Sequence, residues 1–188
     1  MEQNSQYREG LLVQLKESYG RVVYTYTSHL KQVNSLEKKL KIIKYCQIVL
    51  SAFSTGGFLG AIITDENAYT VVAGFFSAIL LAFNLFFKNF NIENEIKQHI
   101  LAADELWLIR EKYVSLMTDF DILSDENIMF TRDTLLQETY EIYKKTPKTN
   151  SKSYERAQAA LKNEEEQFFT NEEFNQMLPD HLRKSSKS

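Results

Sequence analysis

Two uncharged stretches, Tyr45 to Thr64 and Ala68 to Phe87, stand in this chain separated by nothing more than Asp65, Glu66 and Asn67. Each holds 20 residues, and at about 1.5 Å of rise per helical residue each is roughly 30 Å long, the thickness of a bilayer's hydrocarbon core. Both read as transmembrane helices. Three residues cannot recross a membrane, so the spans are expected to run antiparallel, with Asp65 and Glu66 at the turn and both chain ends on the opposite side.

Lysines choose that side. Lys38, Lys39, Lys41 and Lys44 precede the first span and Lys88 follows the second, and such flanks are retained in the cytoplasm. The predicted topology places both termini there. The competing reading, an apolar hairpin inside a soluble domain, requires core helices of unusual length and uniform apolarity. A mean hydropathy of -0.34 does not favour it, because hydropathy identifies spans over windows of about 19 residues.

Charge is segregated: residues 1–44 carry a net +4, residues 45–87 a net -2 and residues 88–188 a net -5. An acidic C-terminal region offers no clustered Lys/Arg for phosphate, so direct nucleic-acid binding is not expected. The first 30 residues contain no apolar run of the kind a secretory signal needs, so the first span is expected to direct its own insertion. Cys46 is the single cysteine; it can form no intramolecular disulfide, and a reducing cytosolic face suits it.

Between residues 5 and 44, Leu12, Leu15, Tyr19, Val22, Tyr26, Leu30, Val33, Leu36 and Leu40 recur in steps of three and four, the seam of an amphipathic helix. With no proline before Pro147, this helix can run unbroken into the first span, although Gly20 costs it about 1 kcal/mol of propensity. After the second span, Ile92, Ile96, Ile100, Ala103, Trp107, Arg110, Val114, Met117 and Phe120 repeat the pattern. The second span is therefore expected to continue as a stalk that packs on the first helix, with Trp107 as the anchor. Ser124 is placed to cap a helix that stops before Pro147. Residues 148–153 read as a linker; Tyr154, Ala157, Leu161 and Phe168 mark another helix; Thr170-Asn-Glu-Glu is a capping box for a last short one. Residues 183–188 are expected to be disordered.

No segment alternates with period two, so no strand is predicted. The fold class is an all-α membrane protein: an antiparallel transmembrane hairpin whose cytosolic extensions form a helical bundle. Its parts are an N-terminal amphipathic helix (1–44), the hairpin (45–87, spans 45–64 and 68–87), a stalk and following helix (88–146) and a C-terminal helical region (147–188).

No catalytic constellation is visible. His29, His99 and His181 lack ligand spacing, and the glycines form neither a phosphate loop nor a nucleophile elbow. Glu164, Glu165 and Glu166 read as a solvated helix face, since consecutive helical residues diverge by about 100° and cannot converge on one ion. No enzyme activity, cofactor or metal is expected. The spans carry more information. Ala52, Gly56 and Gly60 form a small-residue ladder in the first, and Gly74, Ala78 and Ala82 one in the second; such ladders let backbones approach closely. Gln47, Ser51 and Ser54 share one face of the first span, and Thr70, Ser77 and Asn84 recur seven apart on the second. Gln47 and Asn84 should lie at similar depth. These polar residues either bond within the hairpin or line a water path, and two spans enclose no such path alone.

The hairpin, followed by Ala103-Asp-Glu-Leu-Trp-Leu-Ile-Arg-Glu-Lys-Tyr-Val-Ser-Leu-Met-Thr-Asp119, Arg132-Asp-Thr-Leu, Ile142-Tyr-Lys-Lys-Thr-Pro147 and Leu178-Pro-Asp-His-Leu-Arg183, resembles the SLATT family: bacterial two-transmembrane effectors of nucleotide-signalled or reverse-transcriptase-associated anti-phage systems. The resemblance implies a homo-oligomer in the lipid of the inner membrane that breaches it when a separately encoded sensor, a nucleotide-producing enzyme or a reverse transcriptase, detects infection, ending in abortive infection. Trp107, Arg110, Glu111 and Asp119 could relay the signal, though intrahelical pairing accounts for the charged ones equally well. The alternative is a passive membrane anchor or scaffold for a cytosolic complex. A transporter is disfavoured, because neither span holds an ionisable residue of the kind coupled transport uses.

Overall fold

The computed structural model describes residues 2–64, 66–164, 166–167 and 169–179, and among them every regular element is a helix. The first, α1, runs unbroken from Glu2 to Thr64 (63 residues), about 95 Å at the standard rise. It carries the amphipathic segment and the first apolar stretch on one axis, as the absence of proline allows. Then follow α2 (Asn67–Lys88), α3 (Ile92–Thr118), α4 (Asp125–Lys145), α5 (Ser151–Asn163) and α6 (Asn171–Met177). α2, α3 and α5 pack on α1, and α4 packs mainly on α3.

The expected stalk is interrupted. α2 stops at Lys88 and α3 starts at Ile92, with the Asn91 side chain accepting a hydrogen bond from the Asn94 amide at 3.2 Å. Asn89 and Asn91 offer the backbone local partners that compete with helix continuation. The periodicity of the flanking apolar residues does not register this break.

The seam on α3 is also displaced. Ile92, Ile96, Ala103 and Phe120 are buried as expected, but Trp107 is 48% exposed and Ile100 39%. The buried line runs through His99, Leu106, Ile109, Tyr113 and Leu116 instead. Steps of three and four can be threaded through this stretch along more than one path, and a purely apolar template passes over His99. Trp107 does not anchor the packing; Leu106 and Tyr113, at 0% and 2% exposure, do.

The helix ends follow local chemistry. The Ser124 hydroxyl accepts from the Asn127 amide, and α4 ends two residues before Pro147. The expected linker is shorter, because Asn150 caps α5 by accepting from the Ser153 amide at 2.8 Å. The capping box forms in both directions: the Thr170 amide donates to Glu173 at 2.6 Å and the Glu173 amide donates to the Thr170 hydroxyl at 3.3 Å. The triple-glutamate reading is corrected, since α5 ends at Asn163 and Glu166 forms an ion pair with Lys31 of α1. Asp65, Glu165, Phe168, His181 and residues 183–188 lie outside the described residues.

Two apolar clusters hold α1 to its neighbours. One joins Leu11, Leu15 and Val22 to Leu106, Ile109, Tyr113, Leu116 and Phe120 of the α3 region and to Ile128, Leu135 and Ile142 of α4. The other joins Val33, Leu36 and Ile43 to Ile92 and Ile96. Leu106→Ala is expected to cost about 2–5 kcal/mol through the cavity it leaves, and Trp107→Ala about 1 kcal/mol or less. Thermal unfolding of the purified full chain measures both; equal losses would return the seam to Trp107.

Candidate membrane hairpin and its polar seam

The apolar windows of α1 and α2 are 0% and 6% buried. Ile62, Ile63, Val71 and Phe75 are 79%, 82%, 72% and 64% exposed. A hairpin serving as the core of a soluble domain would bury these side chains, and an exposed apolar surface of this extent marks contact with lipid or another chain. Both helices are long and apolar enough to cross a membrane.

Along their contact, residue numbers on α1 rise as those on α2 fall. The Gln47 amide donates to the Asn84 carbonyl oxygen at 2.8 Å, Ser54 and Ser77 hydroxyls meet at 2.5 Å, and Phe53 stacks on Phe76 with ring centroids 5.0 Å apart. Beyond them, Gly57 lies against Ala73 and Gly60 against the Tyr69 ring. Gln47 and Asn84 do share a level. Four of the six polar residues singled out in the spans thus bond to one another within one chain, while Ser51 and Thr70 remain exposed.

The close approach falls on neighbouring residues rather than on the ladders. A Cβ at Gly57 would come within 2.9 Å of the Ala73 Cβ, whereas one at Gly56 or Gly74 would meet nothing within 4 Å. Gly57 and Ala73 therefore set the separation of α1 and α2. Of the ladder residues, Gly60 alone takes part; Ala52, Gly56, Gly74, Ala78 and Ala82 face outward. Four-residue spacing defines a stripe but not the direction in which it points.

The remaining singled-out residues are dispersed. Arg110 pairs with its neighbour Glu111 at 2.9 Å, and its Nε is buried without a partner. Asp119 caps the C-terminus of α3. Trp107, Arg110, Glu111 and Asp119 form no common site.

Two polar features went unseen in the sequence. Arg8, ahead of the first apolar seam, reaches the α3–α4 turn: it pairs with Asp125, donates to the carbonyls of Phe120 (2.6 Å) and Leu123 (3.3 Å), and lies 4.9 Å from the Phe120 ring centroid. Between the two apolar clusters, α1 buries Thr27, Ser28, His29 and Gln32. There His29 and His99 face each other, Nδ1 to Nδ1 at 2.8 Å, and the Ser153 hydroxyl of α5 donates to Gln32 at 2.6 Å. The His99 Nε2 has no hydrogen-bond partner and lies 3.9 Å from Glu95. Burial, reinforced by His99, lowers the His29 pKa to about 4, and burial lowers that of His99 against an opposing pull from Glu95. No three metal-ligating side chains gather among the described residues.

These features define a class: helical proteins in which two segments able to cross a membrane are fused to a helical bundle. The sequence model of the SMODS and SLOG-associating 2TM effector domain, family 4, matches residues 11–173, and the chain belongs to that family. No curated protein and no solved structure matches it.

The histidine pair makes stability depend on pH. Because the folded pKa of His29 lies below its ordinary 6.5, the unfolded chain takes up the proton first; this contribution is fully present above pH 6.5 and is lost as pH falls toward 4. Between pH 7.5 and 5.5 His29 alone should cost on the order of 1 kcal/mol of stability. His99 acts in the same direction. Thermal unfolding across this range should show the loss, and His29→Gln with His99→Gln should flatten it; an unchanged slope in that variant would assign the titration elsewhere.

Proposed function

We propose that the chain is a non-enzymatic membrane effector of bacterial anti-phage defence. Its apolar segments lie across the inner membrane as an antiparallel hairpin, with both termini and the helical bundle in the cytoplasm. Several copies assemble and breach the bilayer when a separately encoded partner signals infection, and the cell stops growing. The family description, a two-transmembrane effector domain that associates with SMODS and SLOG proteins, supports the class of partner. The order of contacts between α1 and α2 supports the antiparallel arrangement.

The observation that carries the reading is the line of polar side chains at the α1–α2 contact, Gln47 with Asn84 and Ser54 with Ser77, in a hairpin whose exposed surface is mostly apolar. In one chain these groups satisfy each other, a bond worth about 1 kcal/mol between membrane helices. In a ring of hairpins they exchange those bonds for water, and Ser51 and Thr70 extend the same hydrophilic lining. Ala52, Gly56, Gly74, Ala78 and Ala82, which face away from the partner helix, provide the surfaces on which neighbouring copies approach. Closure of the polar pairs inside a single chain equally suits an anchor that tethers a cytosolic complex and never opens.

A reporter fused to either terminus is expected to read as cytoplasmic; opposite locations for the two ends would defeat the hairpin. Gln47→Leu with Asn84→Leu should suppress dye leakage and growth arrest while leaving membrane insertion intact, since apolar substitution favours the bilayer. Ile63→Leu, on an exposed apolar position, should change neither. Full leakage in the polar double variant would leave those residues with a packing role and move the activity to bilayer disruption or to the bundle.

A further inference from the structure

Where α1, α2 and α3 meet, the break at Asn89–Asn91 leaves a cavity of about 520 Å³. Leu81 and Leu85, the hydrogen-bonded Gln47 and Asn84, and Lys44 and Lys88 belong to its lining. The cavity thus combines an apolar wall on the side of the spans with cationic groups at their lysine-flanked ends.

The charge at this place is unbalanced. Glu93 is the one carboxylate lining the cavity among the described residues, and it holds Lys44 at 3.0 Å. That contact is solvent-exposed, both side chains being more than half accessible, and an exposed pair of this kind contributes little to stability. No carboxylate among the described residues pairs with Lys88. A third ammonium, Lys39, sits over the Phe90 ring 5.5 Å from its centroid, and Phe90 lines the same cavity.

We propose that this junction is a binding site for the headgroup of an anionic phospholipid. The phosphodiester lies between Lys44 and Lys88, drawing Lys44 partly away from Glu93; Gln47 and Asn84 offer hydrogen bonds to the glycerol oxygens, and the upper part of an acyl chain follows Leu81 and Leu85 outward. A basic pocket between membrane helices suits such headgroups, with about 1 kcal/mol from each lysine near the surface. Free phosphate is also an anion but has no use for the apolar side chains. The site rests on the reading of α1 and α2 as membrane-spanning, and it belongs to the closed hairpin, in which Gln47 and Asn84 meet each other rather than a lumen.

The test is native mass spectrometry of the full chain in neutral detergent, titrated separately with phosphatidylglycerol, phosphatidylcholine and glycerol 3-phosphate. One phosphatidylglycerol per chain is expected to persist at activation energies that strip phosphatidylcholine, and glycerol 3-phosphate should not bind. Lys44→Gln and Lys88→Gln should each lower phosphatidylglycerol affinity about fivefold. Leu85→Trp, which fills the apolar wall without altering charge, should also lower it, whereas Lys16→Gln, on the exposed face of α1 far from the junction, should not. Equal retention of the two lipids, or unchanged retention in the Lys44→Gln, Lys88→Gln double variant, would overturn the site. Binding of glycerol 3-phosphate as tightly as the lipid would make it a free-anion site. Recovery of the chain in the soluble fraction of cells would instead defeat the membrane reading beneath it.

Discussion

The continuity of α1 is the constraint on which the rest depends. A helix satisfies its backbone hydrogen bonds internally, so one uninterrupted helix can carry the chain from a watery bundle into an apolar layer without stranding a polar group at the boundary. Its first half presents a seam to α3 and α5, and its second half presents Gly57 and Gly60 to α2. The returning chain is not continuous. It breaks at Asn89–Asn91, caps the new helix with Asn91, and resumes along α1 in the register set by Ile92 and Ile96.

The packing along α1 changes character midway. Apolar clusters lie on either side of a buried polar belt, where His29 meets His99 and Gln32 meets Ser153. Apolar contacts tolerate small slips, but these hydrogen bonds have one geometry, so the belt fixes the register of α3 and α5 against α1. A buried polar group is costly unless paired, and the unpartnered Nε2 of His99 and Oγ1 of Thr27 make this the least comfortable layer of the bundle. Arg8 performs a related task at the far end, gathering the α3–α4 turn onto the start of α1.

The elements were legible wherever local chemistry decides them. The two apolar stretches, the proline-free run before them, Ser124 ahead of its acids and the Thr170–Glu173 box each specify a helix or a helix end through neighbours in sequence. Directions were less legible. Ile100, Trp107 and Val114 fit a seam as well as His99, Leu106 and Tyr113 do, and Gly56 is as small as Gly57; the choice is made by a facing helix that periodicity does not contain. For the polar side chains of the spans, the shared level of Gln47 and Asn84 followed from counting residues back from a short turn, but the hydrogen bond between them did not. Long-range contacts such as Arg8 with Asp125 and Lys31 with Glu166 had no signal at all, because a lone charge ahead of a seam looks solvated until the chain returns to it.

A rod about 95 Å long joins the helical bundle to the apolar end of the chain. If the bundle is displaced so that α1 tilts by about 5° around its middle, each tip swings by roughly 4 Å, close to a side chain's width, with no hinge to absorb the motion. The returning limb differs, being divided at Asn89–Asn91 into α2 and α3. A displacement of α1 at Leu11 and Leu15 would therefore be matched by one of opposite sense near Thr64, as in a lever turning about its middle.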